Sequence, residues 1–271
     1  MQVVIPMAGI GSRFKKYGFK INKYLLPINI ELEYMIEKAV VSLNVPNPSK
    51  YFFIINEENG TDTNLRNILD TICKKYDFEY IISSVDKLTE GPASTVFTLQ
   101  SIINMNDPMI VSNSDQVLDW DYNRFLKNCQ DYDGCVLTYK PDYELILNTV
   151  DKHSFVQLNE FGKVDRCAEK IVLSDKALVG VHYFKKAELF FDAYKYMIQN
   201  NIRAPNGEFY LSLAYQTMIE HEYLIGHHNI DTNLEKFYPV GEPDDYFKYL
   251  YEKGGYNINN ISNITYLYTD E

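Results

Sequence analysis

Cysteine is scarce and unpatterned in this chain. Its four residues, Cys73, Cys129, Cys135 and Cys167, form no C-x-x-C pair and no zinc spacing. That leaves no disulfide framework legible in the sequence, and the four are expected to be reduced, mostly buried thiols of a cytoplasmic protein. The five histidines (His153, His182, His221, His227, His228) also lack ligand spacing. No apolar run approaches the roughly 18 residues needed to cross a bilayer. No basic stretch leads into a signal-peptide core, so no membrane partner is expected. Positive charge is in deficit, with 26 Lys and Arg against 37 Asp and Glu and a net charge of −11. Broad electrostatic binding to nucleic acid is therefore not expected. Repeats, low-complexity tracts and a Pro/Gly/Ser-rich linker are missing too, which argues for one domain over residues 1–250. Residues 251–271, rich in Asn and Tyr, are expected to form an edge strand or a loosely attached extension.

What is present is a chain of 271 residues, 46% hydrophobic, enough for a sizeable core. Apolar, strand-like runs occur at 2–6, 51–56, 78–83, 109–112, 134–139, 155–159 and 178–184. Helix-like stretches lie between them at 33–44, 61–75, 93–104 and 122–129, and follow them at 186–200 and 211–220. The alternation predicts an α/β layer fold with a largely parallel sheet. Asn159–Lys163 reads as a hairpin turn between two short strands. The 23 Tyr and 15 Phe are expected to be core and surface packing.

The first strand runs into M-A-G-I-G-S-R-F-K-K-Y-G-F-K-I-N-K-Y-L-L-P. Gly9 and Gly11 let the backbone approach a ligand, and successive free N–H groups in such a loop form an anion-binding concavity. Arg13, Lys15, Lys16, Lys20 and Lys23 concentrate cations in an otherwise acidic chain. Triphosphate binding needs this combination, although a tight turn with a solvated basic face would read the same way. Two familiar phosphate motifs fail on the letters. Phe14 stands where a dinucleotide fingerprint needs its third glycine, and the G-K-[ST] of a P-loop is absent.

The stretch resembles the G-x-G-[ST]-R…P-K signature of sugar-1-phosphate nucleotidyltransferases. That family includes glucose-1-phosphate thymidylyltransferases and enzymes of capsular and surface polysaccharide synthesis. The resemblance implies a Rossmann-like three-layer fold with a mixed, mostly parallel sheet and a substrate-side lobe. It also implies transfer of a nucleotidyl group from a nucleoside triphosphate to a sugar 1-phosphate, with Mg²⁺. Carried over residue by residue, Ala8, Gly9, Gly11, Ser12 and Arg13 would cradle the nucleotide. Arg13 would hold its β- and γ-phosphates, and Lys23 the α-phosphate and sugar phosphate. Asn22 replaces the proline that usually precedes this lysine.

E-G-P-A-S-T-V at 90–96 opens a helix-like stretch, with proline suited to its first turn. In the resembled family the matching segment presents backbone to the base, which would be Gly91 here, with Glu90 or Ser94 as side-chain readers. M-I-V-S-N-S-D-Q-V puts Asp115 just past a strand end, where ligands of open α/β sheets gather. A hard carboxylate there suits Mg²⁺, though an aspartate can also cap the next turn. Asp119-Trp120-Asp121 spells D-x-D, a metal motif of glycosyltransferases, yet Asp121 also fits a helix cap before Tyr122.

Further on, the family pattern of strand, turn, E-K and G-x-Y-x-F is similar to residues 153–184. It implies that Glu169 accepts sugar hydroxyls and that Lys170 pairs with the sugar phosphate. Gly180 would let the sugar approach the backbone, and Ser154 would sit where a glycine often meets a hydroxyl. In N-G-E-F-Y-L-S, Glu208 is the acidic residue expected on the sugar, or a first-turn helix residue favoured by the dipole. F-Y-P-V-G-E-P resembles W-x-D-x-G-T-P, but Pro239 occupies the place of the second metal-binding aspartate. Asp231 is the candidate stand-in, while Asp244 and Asp245 fit the start of a last helix. Two other functions stay open: a glycosyltransferase using Asp119 and Asp121, and a catalytically silent nucleotide-sugar binder.

Overall fold

The computed structural model describes residues 1–57, 62–141, 153–230, 233–257 and 264. In chain order its elements are β1 (Gln2–Met7), α1 (Ser12–Tyr17), α2 (Met35–Val41), β2 (Lys50–Asn56), α3 (Asp62–Lys75), β3 (Glu79–Val85), α4 (Pro92–Phe97), β4 (Met109–Ser112) and β5 (Gln116–Asp119). There follow α5 (Tyr122–Cys129), β6 (Gly134–Tyr139), β7 (Ser154–Leu158), β8 (Val164–Glu169), β9 (Ala177–Phe184), α6 (Ala187–Gln199), α7 (Leu211–Glu220), β10 (Ile225–Asn229), β11 (Lys236–Pro239) and α8 (Pro243–Glu252). Among the described residues no helix is long and apolar enough to cross a membrane.

A sheet ordered β3-β2-β1-β4-β9-β6-β10-β8-β7 forms the middle layer. Strands such as β1 and β2 are apolar at nearly every position because both faces are covered. Side chains alternate between the faces. Val3, Ile5, Tyr51 and Phe53 pack on one side with Leu65, Leu69, Ile72 and Cys73 of α3, a spacing that lays all four on one helix face. Val4, Phe52 and Ile54 pack on the other with Val96, Phe190, Phe191 and Tyr215. A third cluster joins Phe14, Phe19, Leu26 and Ile28 to Tyr246, Tyr249 and Leu250 of α8, and so fastens the glycine loop's downstream arm. Tyr256 and Ile264 are buried in the same cluster.

The sequence-predicted elements are present, but the sheet is not mostly parallel. Four pairings of the large sheet are parallel. Five are antiparallel, because β9 enters between β4 and β6 running against both and β7–β8 form a hairpin. An apolar run reveals burial but not direction. Direction comes from the connections, and a tight turn joins only antiparallel partners. The hairpin turn forms as expected, with Asn159 Oδ1 accepting from the Phe161 and Lys163 amides at 3.0 and 3.1 Å. A separate two-stranded ribbon, β5–β11, sets Pro239 opposite Gln116.

β9 is the hinge between the two halves of the sheet. Its Phe184 is fully buried and stacks on Tyr215 with centroids 4.9 Å apart. Phe184→Ala is expected to cost about 3–5 kcal/mol of unfolding free energy, measured by urea titration of the circular dichroism signal. A loss below about 1 kcal/mol would show that the halves are joined elsewhere.

Candidate functional site

A cleft of about 760 Å³ opens where β1 and β4, parallel neighbours, reach their C-terminal ends. β1 delivers the glycine loop to it and β4 delivers Asp115. Of the five clustered cations, Arg13 and Lys23 line the cleft, as do Ala8 and Gly9. Gly11 and Ser12 are not on its wall. Gly11 has φ of +64° before the first turn of α1, a left-handed backbone that favours glycine. Asn22 explains how Lys23 is held without the usual proline. Its Oδ1 accepts from the Tyr24 amide at 3.1 Å and caps the short 3-10 turn Lys23–Leu25.

Lys23 Nζ lies 2.7 Å from Asp115 Oδ2, joining residues 92 positions apart. Both side chains are mostly covered, 14% and 24% exposed. Burial alone would push the Lys23 ammonium down, but Asp115 more than offsets this and holds it above its ordinary value. For Asp115, burial pulls the carboxyl up. Lys23 and then Arg13 outweigh that and hold it below the usual range. Behind the pair, the Tyr24 hydroxyl bonds to the Ser114 side chain and the Gly9 backbone, with Lys23 Nζ 5.1 Å from its ring.

The loop from β11 to α8 closes over Asp115. Val240 N donates to Asp115 O at 3.0 Å, and a Cβ on Gly241 would lie 2.7 Å from Asp115 Oδ2. Pro239 lines the cleft beside it and offers no carboxylate. Three residues on, Glu242 Oε1 pairs with Arg13 at 2.7 Å. Asp231 lies outside the described residues. No group of three or more His, Cys, Asp or Glu able to hold a metal occurs among the described residues. One hard carboxylate in an open cleft fits Mg²⁺, which is commonly held by one or two carboxylates plus phosphate oxygens, and does not fit zinc.

The 89–95 segment forms the next wall. Gly91 has φ of +121°, and a Cβ there would meet Phe209 O at 2.5 Å. Its glycine is thus required by the seat on Phe209, whose amide donates to Glu90 O at 2.8 Å. The Glu90 side chain turns out of the cleft and pairs with Arg203 at 3.3 Å. The cleft side carries Thr89 and Thr95 instead, whose hydroxyls bond to each other and to Gly91 O. Ser94 is not on the wall, and its Oγ accepts from Tyr194 Oη at 2.7 Å.

On the far side, Ser154, Glu169, Lys170, Gly180 and Glu208 all line the cleft, so the segments of the β7–β9 half do converge. Glu169 Oε2 accepts from Ser212 Oγ at 2.7 Å and from Ser154 Oγ. Burial raises the Glu169 carboxyl, and the two hydroxyls and Lys170 only partly counter it. Lys170 has φ of +61°, sparsely populated for a residue with a side chain, and its Nζ lies 5.2 Å from the Tyr210 ring. Glu208 accepts from Tyr210 Oη and from Asn206 Nδ2 at 2.8 Å. Gly180 is clamped by Asn113 N and Gln116, and a Cβ there would overlap the Asn113 amide at 2.1 Å. Asp119 and Asp121 are not on the cleft wall, and Asp121 Oδ1 caps α5 by accepting from Arg124 N at 3.1 Å.

The wall residues Tyr24, His182, Tyr210, Ser212 and Glu242 were not singled out by sequence. All five sit inside the motifs quoted above, but only the fold brings them to the cleft.

No family model and no curated protein matches the chain. Solved structures do. A nucleoside-diphosphate-sugar pyrophosphorylase from Vibrio cholerae superimposes with a TM-score of 0.74 at 24% identity, over 92% of this chain and 100% of that one. The chain has its fold. An inositol-1-phosphate CTP transferase from T. maritima gives 0.68 at 14% identity, over 94% of this chain and 97% of that one. A UDP-glucose pyrophosphorylase complexed with UDP-glucose gives 0.67 at 17%, over 92% and 96%.

The buried ion pair sets a stability expectation. Asp115→Asn strands the Lys23 ammonium and should cost about 1–3 kcal/mol at pH 7, the buried-pair cost discounted for partial exposure. Lys23→Met with Asp115→Asn should regain part of it. In the wild type the Asp115 contribution is present above about pH 4 and lost as pH falls through its lowered folded value. Thermal melts of the three proteins across pH check this, and equal losses in single and double variants would show no coupling.

Proposed function

We propose that this chain transfers a nucleotidyl group from a nucleoside triphosphate to a sugar 1-phosphate, releasing pyrophosphate. The observation that carries it is the meeting of Lys23 and Asp115 in a cleft that Arg13, Glu169 and Lys170 also line. One cleft thus offers cations for two phosphate groups and a hydroxyl-binding wall.

A sugar phosphate already carries an ionised oxygen near neutral pH, its second pKa being about 6. No general base is therefore required. An oxygen of that phosphate attacks the α-phosphorus in line, and the bond to the bridging oxygen breaks so that pyrophosphate leaves. Lys23, held protonated by Asp115, would neutralise charge at the reacting centre. Arg13 would leave Glu242 for the β- and γ-phosphates, and Lys170 would orient the attacker. Asp115, with waters and phosphate oxygens, would hold Mg²⁺, which supplies charge neutralisation across those oxygens. The rest is alignment of two polyanions that otherwise repel. The glycosyltransferase alternative loses support because its D-x-D lies off the cleft and Asp121 serves a helix cap.

Pyrophosphate release is the test, with each common nucleoside triphosphate and Mg²⁺ against a panel of sugar 1-phosphates. Release should require both substrates and fall at least about 1,000-fold in Asp115→Asn that circular dichroism shows to be folded. Near-normal turnover in that variant would remove Asp115 from the metal role. No release with any pair, alongside tight binding of a nucleotide sugar, would favour the silent binder that Pro239 suggests.

A further inference from the structure

Arg13, the cation assigned above to the β- and γ-phosphates, is already paired in the folded chain. Its Nη1 lies 2.7 Å from Glu242 Oε1. The fold sets this meeting. Phe14, the next residue after Arg13, meets the Tyr246 ring edge-on with centroids 5.9 Å apart. The Tyr246 amide donates to Glu242 O at 2.9 Å and closes the first turn of α8. Packing of α1 on α8 therefore brings the two charges together. Glu242 holds the N-cap position of α8, where Ser, Thr, Asp and Asn serve best, and its side chain makes no capping hydrogen bond. Its carboxylate meets Arg13 instead.

The Lys and Arg residues of the cleft wall are Arg13, Lys23 and Lys170, while Glu242, Asp244 and Asp245 line it from the start of α8. A triphosphate tail that takes Arg13 must displace Glu242. When pyrophosphate leaves, Glu242 is in place to take Arg13 back. The pair is built for exchange, with side chains 59% and 24% exposed, whereas Lys23 and Asp115 are 14% and 24% exposed. A partly solvated pair is worth little by itself and breaks at small cost. An internal anion competing for one cation weakens every ligand that uses that cation.

We propose that Glu242 sets affinity in the triphosphate subsite: it competes with the β- and γ-phosphates for Arg13, and it hastens release of pyrophosphate by reclaiming Arg13. This rests on the transferase reading above.

The test is a double-mutant cycle of wild type, Glu242→Gln, Arg13→Gln and the double variant. Calorimetry measures binding of magnesium pyrophosphate to all four, and initial rates give both substrate KM values for wild type and Glu242→Gln. At low salt, Glu242→Gln should tighten pyrophosphate binding and lower the triphosphate KM about 3- to 10-fold, with the acceptor KM unchanged. Most of that gain should vanish in about 0.5 M KCl, which screens exposed charges. In the Arg13→Gln background the same substitution should change pyrophosphate binding less than about twofold. Pyrophosphate binding unchanged in Glu242→Gln, with wild type turning over, would overturn the inference and leave the transferase reading standing. Equal tightening with and without Arg13 would also overturn it, since the cause would be the general charge of the rim. A wild type that releases no pyrophosphate with any substrate pair removes the transferase reading and the inference with it.

Discussion

The candidate site depends on one buried ion pair. Lys23 comes from the glycine loop's downstream arm and Asp115 from the end of β4, and neither charge is well hydrated. Each is tolerated because the other is there. The aromatic cluster around Phe14, Phe19 and Tyr246 fixes the arm that carries Lys23, and the β1–β4 ladder fixes Asp115. With both ends anchored, the pair sits where the cleft is narrowest in choice of partner: Gly241 leaves no room for a side chain beside Asp115. In the proposed reaction, phosphate and Mg²⁺ would divide this pair between them, each partner exchanging one opposite charge for another.

The acceptor side is built on different physics. There the polar groups are held by hydrogen bonds within the wall: Glu169 by Ser154 and Ser212, Gly180 by Gln116 and Asn113, Glu208 by Asn206 and Tyr210. Most of these side chains are already ordered before any ligand arrives, which reduces the entropy to be lost on binding. Lys170, with its left-handed backbone, projects from the end of this network toward the Tyr210 ring.

Much of this was legible in the sequence because it follows from short-range rules. Apolar runs located the buried strands, the N-terminal loop announced its glycines and cations, and the S-D at a strand end located Asp115. Strand direction was not legible, since β9's apolar run reads the same in either orientation. The glycines were found for an incomplete reason. Gly91 and Gly180 are required by Phe209 and Asn113 of this same chain, contacts between segments far apart in sequence. Glu90 shows the same limit, because its exit from the cleft depends on Arg203. Pro239 was correctly seen as lacking a carboxylate, but only the ribbon register shows it beside Asp115, with Glu242 the nearby acid that meets Arg13.

The most direct measurement of the central claim is exchange of radiolabelled pyrophosphate into the nucleoside triphosphate. If the cleft aligns two anions for a single displacement, with no covalent nucleotidyl intermediate on the protein, exchange should occur only when the sugar nucleotide or sugar phosphate is also present. Exchange with triphosphate and pyrophosphate alone would demand a nucleophile on the chain and would contradict that arrangement.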